Sequence, residues 1–162
     1  MRFIKTTVLS LAAGFAIALP AQAQVNENLA EFQPDIEAAR SILQTERKIL
    51  IMREMSLTPE EADAFWPLYD EYVVARRAIG DRRVKVITDY AARYDTLTHE
   101  LARELAEASL KRQSDEVKLR KKYYKKFRKV LPDIKVVRYF QLESKLDAII
   151  EFDLAQQIPL MQ

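Results

Sequence analysis

The 162-residue chain contains no cysteine, only two glycines, Gly14 and Gly80, and a single histidine, His99. Without cysteine there is no disulfide and no thiolate for catalysis or metal ligation, so stability has to come from packing. Two glycines are too few for the tight turns of a β-hairpin protein, which points to an all-α chain. One histidine removes the His-x3-His pair of a zinc site and makes any Ser-His-acid triad depend on His99, beside Glu100 in an expected first helical turn. There is no Gly-rich phosphate loop and no Gly-x-Ser-x-Gly elbow. The adjacent acids Glu60/Glu61 and Asp115/Glu116 diverge on a helix and do not converge on one substrate atom. Carboxylates alone would hold a hard cation loosely unless several converge. The chain therefore reads as a protein that is not an enzyme, with no cofactor and no metal site.

Long hydrophobic runs are also missing. The apolar stretch from Val8 to Leu19 spans about a dozen residues, short of the roughly 20 that a membrane-spanning helix needs. Arg2 and Lys5 precede it, and Pro20 followed by Ala21-Gln22-Ala23 ends it, the pattern of an export signal. Residues 1–23 are read as a signal peptide cleaved after Ala23, in preference to an uncleaved anchor. Removing them takes away two bases and no acid, which leaves 24 basic and 24 acidic residues in 139. The basic balance thus belongs to the signal, and no nucleic-acid partner is expected.

Residues 24–33 show no clear period and are read as a flexible leader, 34–158 as a single all-helical domain, and 159–162 as a tail. Pro34-Asp35 is the expected start of a first helix carrying Ile36, Ala39, Leu43 and Leu50, ending near Met55. Thr58-Pro59-Glu60-Glu61 has the form of a capping box with proline at the first helical position. The helix it opens runs toward Tyr94, and Pro67 predicts a kink or a division into two. Thr98 is the expected cap of a third helix, from His99 to about Leu131. Its apolar side is expected to hold Leu101, Leu105, Val117, Tyr123, Tyr124, Phe127 and Leu131. Pro132-Asp133 starts a fourth, with Val136, Val137, Phe140, Leu146 and Ile149, that runs to about Gln157 before Pro159. The architecture expected is four or five long amphipathic helices in an extended antiparallel, hairpin-like bundle.

Two surfaces are candidates for binding. Tyr69, Tyr72, Arg76, Arg83, Tyr90 and Tyr94 share one arc of the second helix, which reads either as half-buried core or as an adaptable contact area for apolar client segments. Lys118, Lys121, Lys122, Lys125 and Lys129 form a basic face on the third, either solvated or directed at an anionic surface. Arg120 falls inside the apolar arc and is expected to pair with an acid of another helix. Charge is laid down in blocks: four bases and eleven acids from Glu27 to Glu71, but ten bases and one acid from Lys118 to Arg138. The acidic first helix is accordingly expected beside the basic end of the third, in the same molecule or in a second copy.

An export signal, a Cys-free helical chain of this size and Leu57-Thr58-Pro59-Glu60-Glu61 together resemble the Spy/CpxP family of periplasmic proteins with Leu-Thr-x-x-Gln motifs. A second Leu-Thr stands at Leu97-Thr98. Glu61 and Leu101 occupy the positions of the family's glutamine, and Pro67 lies within the helix that the first motif opens. The resemblance implies a periplasmic homodimer of long curved helices. Such a dimer holds unfolded or membrane-associated envelope proteins without ATP as a chaperone, or acts as a stress adaptor on a sensor domain. The family's metal-sensing branch uses histidines that this chain lacks. The alternative is an accessory module that binds a membrane sensor or an anionic envelope surface through the lysine face.

Overall fold

The structure is a computed structural model that describes residues 29–160, with side chains described from residue 37 onward. The expected signal peptide and the start of the leader lie outside these residues. Among the described residues the chain is all-α, with helices α1 (Leu29–Met55), α2 (Pro59–Ala92), α3 (His99–Phe127) and α4 (Asp133–Gln157), and one 3-10 turn at Tyr94–Thr96. No described helix is long and apolar enough to cross a membrane.

The helix starts follow the expected chemistry. The Glu61 N–H donates to Thr58 Oγ1 at 3.3 Å while the Thr58 N–H donates to Glu61 Oε2 at 2.8 Å, which closes the capping box. Thr98 Oγ1 accepts from the Leu101 N–H at 3.2 Å and caps α3. Three boundaries differ from expectation, one being the end of α3 at Phe127, four residues short of Leu131. α1 begins at Leu29, so residues 29–33 of the expected leader are helical and Pro34 lies in the second turn. α2 runs unbroken across Pro67. A proline removes one donor, whereas Phe65 and Tyr69 on either side of Pro67 are fully buried, and their packing holds the helix together through the gap.

The core lies toward the end of the bundle where α1 joins α2 and α3 joins α4. Phe65, Tyr69 and Tyr72 of α2 meet Tyr123 and Phe127 of α3, Val136 and Tyr139 of α4, and Ile51 and Met55 of α1. The rings pack at tilted and edge-on angles, with Phe127–Tyr139 centroids 4.8 Å apart, Phe65–Phe127 5.2 Å and Tyr72–Tyr123 5.1 Å. Each fully buried large side chain of this kind contributes about 1.5–3 kcal/mol of transfer free energy.

Consecutive helices run antiparallel. The acidic first helix lies beside α2 and α4, not beside the basic end of α3. Glu37 pairs with Arg77 at 2.7 Å, Lys48 with Asp70 at 3.1 Å and Glu54 with Arg138 at 3.8 Å, while Lys126 near the end of α3 reaches Glu71 of α2 at 2.6 Å. The three-residue link sets α1 against α2, and Glu71 of α2 takes up the charge of Lys126 of α3.

Candidate functional site

The most charged part of the interior is a node to which all four helices contribute. Glu143 and Asp147 stand one turn apart on α4 and face Arg47 of α1, Arg76 of α2 and Arg120 of α3. Arg47 donates to Glu143 at 2.7 Å and to Asp147 at 2.9 Å. Arg76 donates to the same two carboxylates, to Glu143 at 3.1 Å, and Arg120 donates to Asp147 at 2.6 Å. The expected pairing of Arg120 with an acid of another helix is therefore present. Glu143 is 1% exposed and Arg47 6%.

The two carboxylates respond in opposite directions. Burial pushes Glu143 above the usual carboxylate range despite the guanidiniums of Arg47 and Arg76. Burial would also raise Asp147, but Arg76 and Arg47 outweigh it and hold its carboxyl below that range. Burial likewise pushes the Tyr69 and Tyr72 hydroxyls up to about 12. Tyr69 OH accepts from Gln44 Nε2 at 2.8 Å, whereas Tyr72 OH, Tyr139 OH, Glu143 Oε1 and Arg120 Nε are buried with no hydrogen-bond partner among the described residues. A carboxylate sealed to this degree and already gripped by two arginines offers no approach to a substrate. The node ties α4 to the other three helices, and removing Glu143 or Arg47 would leave a buried charge with fewer partners.

The aromatic arc proposed for client capture is closed in this molecule. Tyr69, Tyr72 and Tyr90 are buried, Arg76 is committed to the node and Arg83 chelates Glu151 of α4, with 2.6 Å to one oxygen. Tyr90 and Tyr94 donate to the carbonyls of Pro159 and Leu160 at 3.0 and 3.1 Å, so residues of the expected tail are tied to the end of α2. Those tyrosines occupy the inward side of α2 because α3 and α4 cover it.

The lysine face is open, with Lys118, Lys121, Lys122, Lys125 and Lys129 all exposed. Beside it, Val117 and Tyr124, expected in the core, are exposed at 51% and 39%. Val137 and Ile149 of α4 and Leu43 of α1 are exposed as well. The inward side of α3 is instead formed by Leu105, Tyr123 and Phe127, followed by Leu131.

Of the motif residues, Leu57 packs against the core, Glu61 closes the cap and pairs with Lys135 of α4, and Leu97 and Thr98 form the α2–α3 turn. The Lys135 ammonium and the Thr58 N–H hold the Glu61 carboxyl below its usual range. His99 is exposed. A surface groove of about 380 Å³ between α2 and α3 is lined by Arg82, Lys85, Asp89, Glu104, Leu105 and Lys111, charges of both signs that already form pairs such as Lys85–Asp89.

A further surface lies on α1, where the run Ile49-Leu50-Ile51-Met52 is apolar beyond one face, the pattern of a buried end or, less often, of a partner contact. On the outer side of α1, Ala38, Ile42, Thr45, Ile49 and Met52 are all exposed at alternating spacings of four and three, with Ile42 at 48%, Ile49 at 49% and Met52 at 59%. That is a seven-residue repeat, and it lies across the helix from Arg47 and Ile51, which point into the bundle. The 4-3 spacing was a readable signal, but the inward positions were expected to carry it.

Comparison with protein-family models, with curated proteins and with solved structures finds no match to this chain.

Proposed function

We propose that the chain is a non-enzymatic binding protein of the cell envelope that holds unfolded or partner polypeptides without ATP, as a chaperone or stress adaptor does. The observation that carries this reading is the exposed row Ala38, Ile42, Thr45, Ile49 and Met52 on a helix whose other side is already packed. Contiguous exposed apolar side chains mark interaction sites. A seven-residue repeat on a helix suits an amphipathic segment laid along it. The methionine side chain adapts to irregular partners. Capture needs no covalent step.

Light scattering from a chemically denatured client tests the proposal. Stoichiometric protein suppresses aggregation, and Ile42→Ser with Ile49→Ser and Met52→Ser removes most of that suppression while leaving helicity unchanged. Absence of suppression by the unaltered chain refutes the chaperone reading. A dimer of this chain, stable to dilution and dispersed by the same three substitutions, would give the row to a second copy instead.

A further inference from the structure

The lysine face and the exposed apolar residues next to it form a second surface, separate from the α1 row. At 100° per residue Lys118, Lys122 and Lys125 fall on one narrow line of α3, with Lys121 at its edge, over about 10 Å of helix, and Lys129 follows in the turn just past α3. This line lies opposite Tyr123 and Phe127, which are buried. Lys118 approaches Asp115 at 3.6 Å. Lys121, Lys122, Lys125 and Lys129 have no carboxylate within 4.0 Å among the described residues. The acids at the flanks are committed elsewhere, Glu71 to Lys126 and Asp133 to Arg128, both at 2.6 Å.

Along the side of this line that faces α4 run Leu110, Val117 and Tyr124, seven residues apart and all exposed. Tyr124 meets Phe140 of α4 with ring centroids 6.0 Å apart, and α4 adds exposed Ile134, Val137 and Phe152. Unpaired lysines bordering exposed aliphatic and aromatic side chains on one antiparallel helix pair are the composition of a helix that lies in a bilayer interface. The ammonium groups reach headgroup phosphates while the apolar side chains enter the acyl boundary.

From this arrangement we infer that the α3–α4 outer face docks on an anionic lipid bilayer, lysines to the phosphates and Val117, Tyr124 and Val137 to the interface. A nucleic acid would match the lysines and leave the apolar row without a partner. The inference is independent of client capture by α1, because the two rows lie on different helices and carry different substitutions.

Co-sedimentation of the full chain with vesicles tests it. Vesicles of phosphatidylglycerol with phosphatidylethanolamine retain the protein, and vesicles of phosphatidylcholine alone do not. Each lysine contributes about fivefold to partitioning, so replacing Lys121, Lys122, Lys125 and Lys129 with Gln lowers the partition coefficient by about 600-fold, whereas Lys85→Gln, away from this face, changes it little. Retention falls as salt is raised to about 0.5 M. Val117→Ser with Val137→Ser weakens retention with the lysines intact. Equal retention on both vesicle types, or retention unaffected by the four Gln substitutions, overturns the inference. So does binding to polyuridylate with no retention on anionic vesicles.

Discussion

The aromatic cluster and the charged node sit next to each other on the same helices and hold the bundle in different ways. Phe65, Phe127 and Tyr139 gain from burial whichever neighbours they meet, since edge-on ring contacts are available in many arrangements. Arg47, Arg76 and Arg120 tolerate burial only where Glu143 and Asp147 stand. The cluster therefore supplies the driving force for collapse. The node selects one packing of α1 on α4 and leaves the other side of α1 facing outward.

Removing a ring is the largest perturbation. Phe127→Ala should cost about 3–5 kcal/mol, read as a drop in the urea midpoint with an unchanged slope. Breaking the node from one side comes close to this. Glu143→Leu alone leaves the buried Arg47 guanidinium sharing Asp147 with Arg76 and Arg120 and should cost about 3 kcal/mol, whereas Glu143→Leu combined with Arg47→Met should recover most of the loss. A double-mutant cycle in which the two losses simply add would show that the residues do not act together.

Acid titration separates the two carboxylates. Glu143 is raised above the ordinary glutamate value of 4.5, so its contribution is fully present below that pH and is lost as the pH rises through its folded-state value. Asp147 is lowered from 3.8, so its contribution is present above 3.8 and is lost as the pH falls through its folded-state value. Urea midpoints measured against pH should therefore show Glu143→Gln flattening the change above 4.5 and Asp147→Asn flattening the loss below 3.8.

The smallest effects lie in the α1–α2 link, which the node leaves untouched. Thr58→Ala should cost about 1 kcal/mol through loss of the cap. Ser56 stands at φ 47°, in the left-handed region just past α1, and Ser56→Gly should stabilise the fold by about 0.5–1 kcal/mol in the same urea assay.

Helix starts were legible because their chemistry is local. Thr58 with Glu61 and Thr98 with Leu101 each act across three residues, and Pro132 stands at the start of α4. Facing was legible only where the buried line is apolar. On α2, Phe65, Tyr69 and Tyr72 mark it, although the same tyrosines also fitted an exposed contact surface. On α1 the inward line carries Arg47 and Gln44 among Ile51 and Met55, so Leu43 was expected inside, and the run Ile49 to Met52 read first as a buried end and only second as a contact surface. A buried arginine hides helical periodicity, and its partners Glu143 and Asp147 are about 100 residues distant, 96 and 100 positions along the chain. On α3, Val117 and Tyr124 lie 120° or less from the true core line, close enough to join the apolar arc and far enough from it to be exposed. Of the candidate surfaces, the Tyr/Arg arc proved to be the inside of the bundle, and the lysine face remained outside.

The separation of a packed interior from an outer row on α1 is tested most directly by hydrogen–deuterium exchange with and without a denatured client. Binding to the outer row should slow exchange in α1 between Ala38 and Met52 and leave the Tyr69–Tyr90 segment of α2 unchanged. Faster exchange in that α2 segment, with α1 unaffected, would mean that the bundle opens to expose its tyrosines, and would contradict a binding surface on the outside of α1.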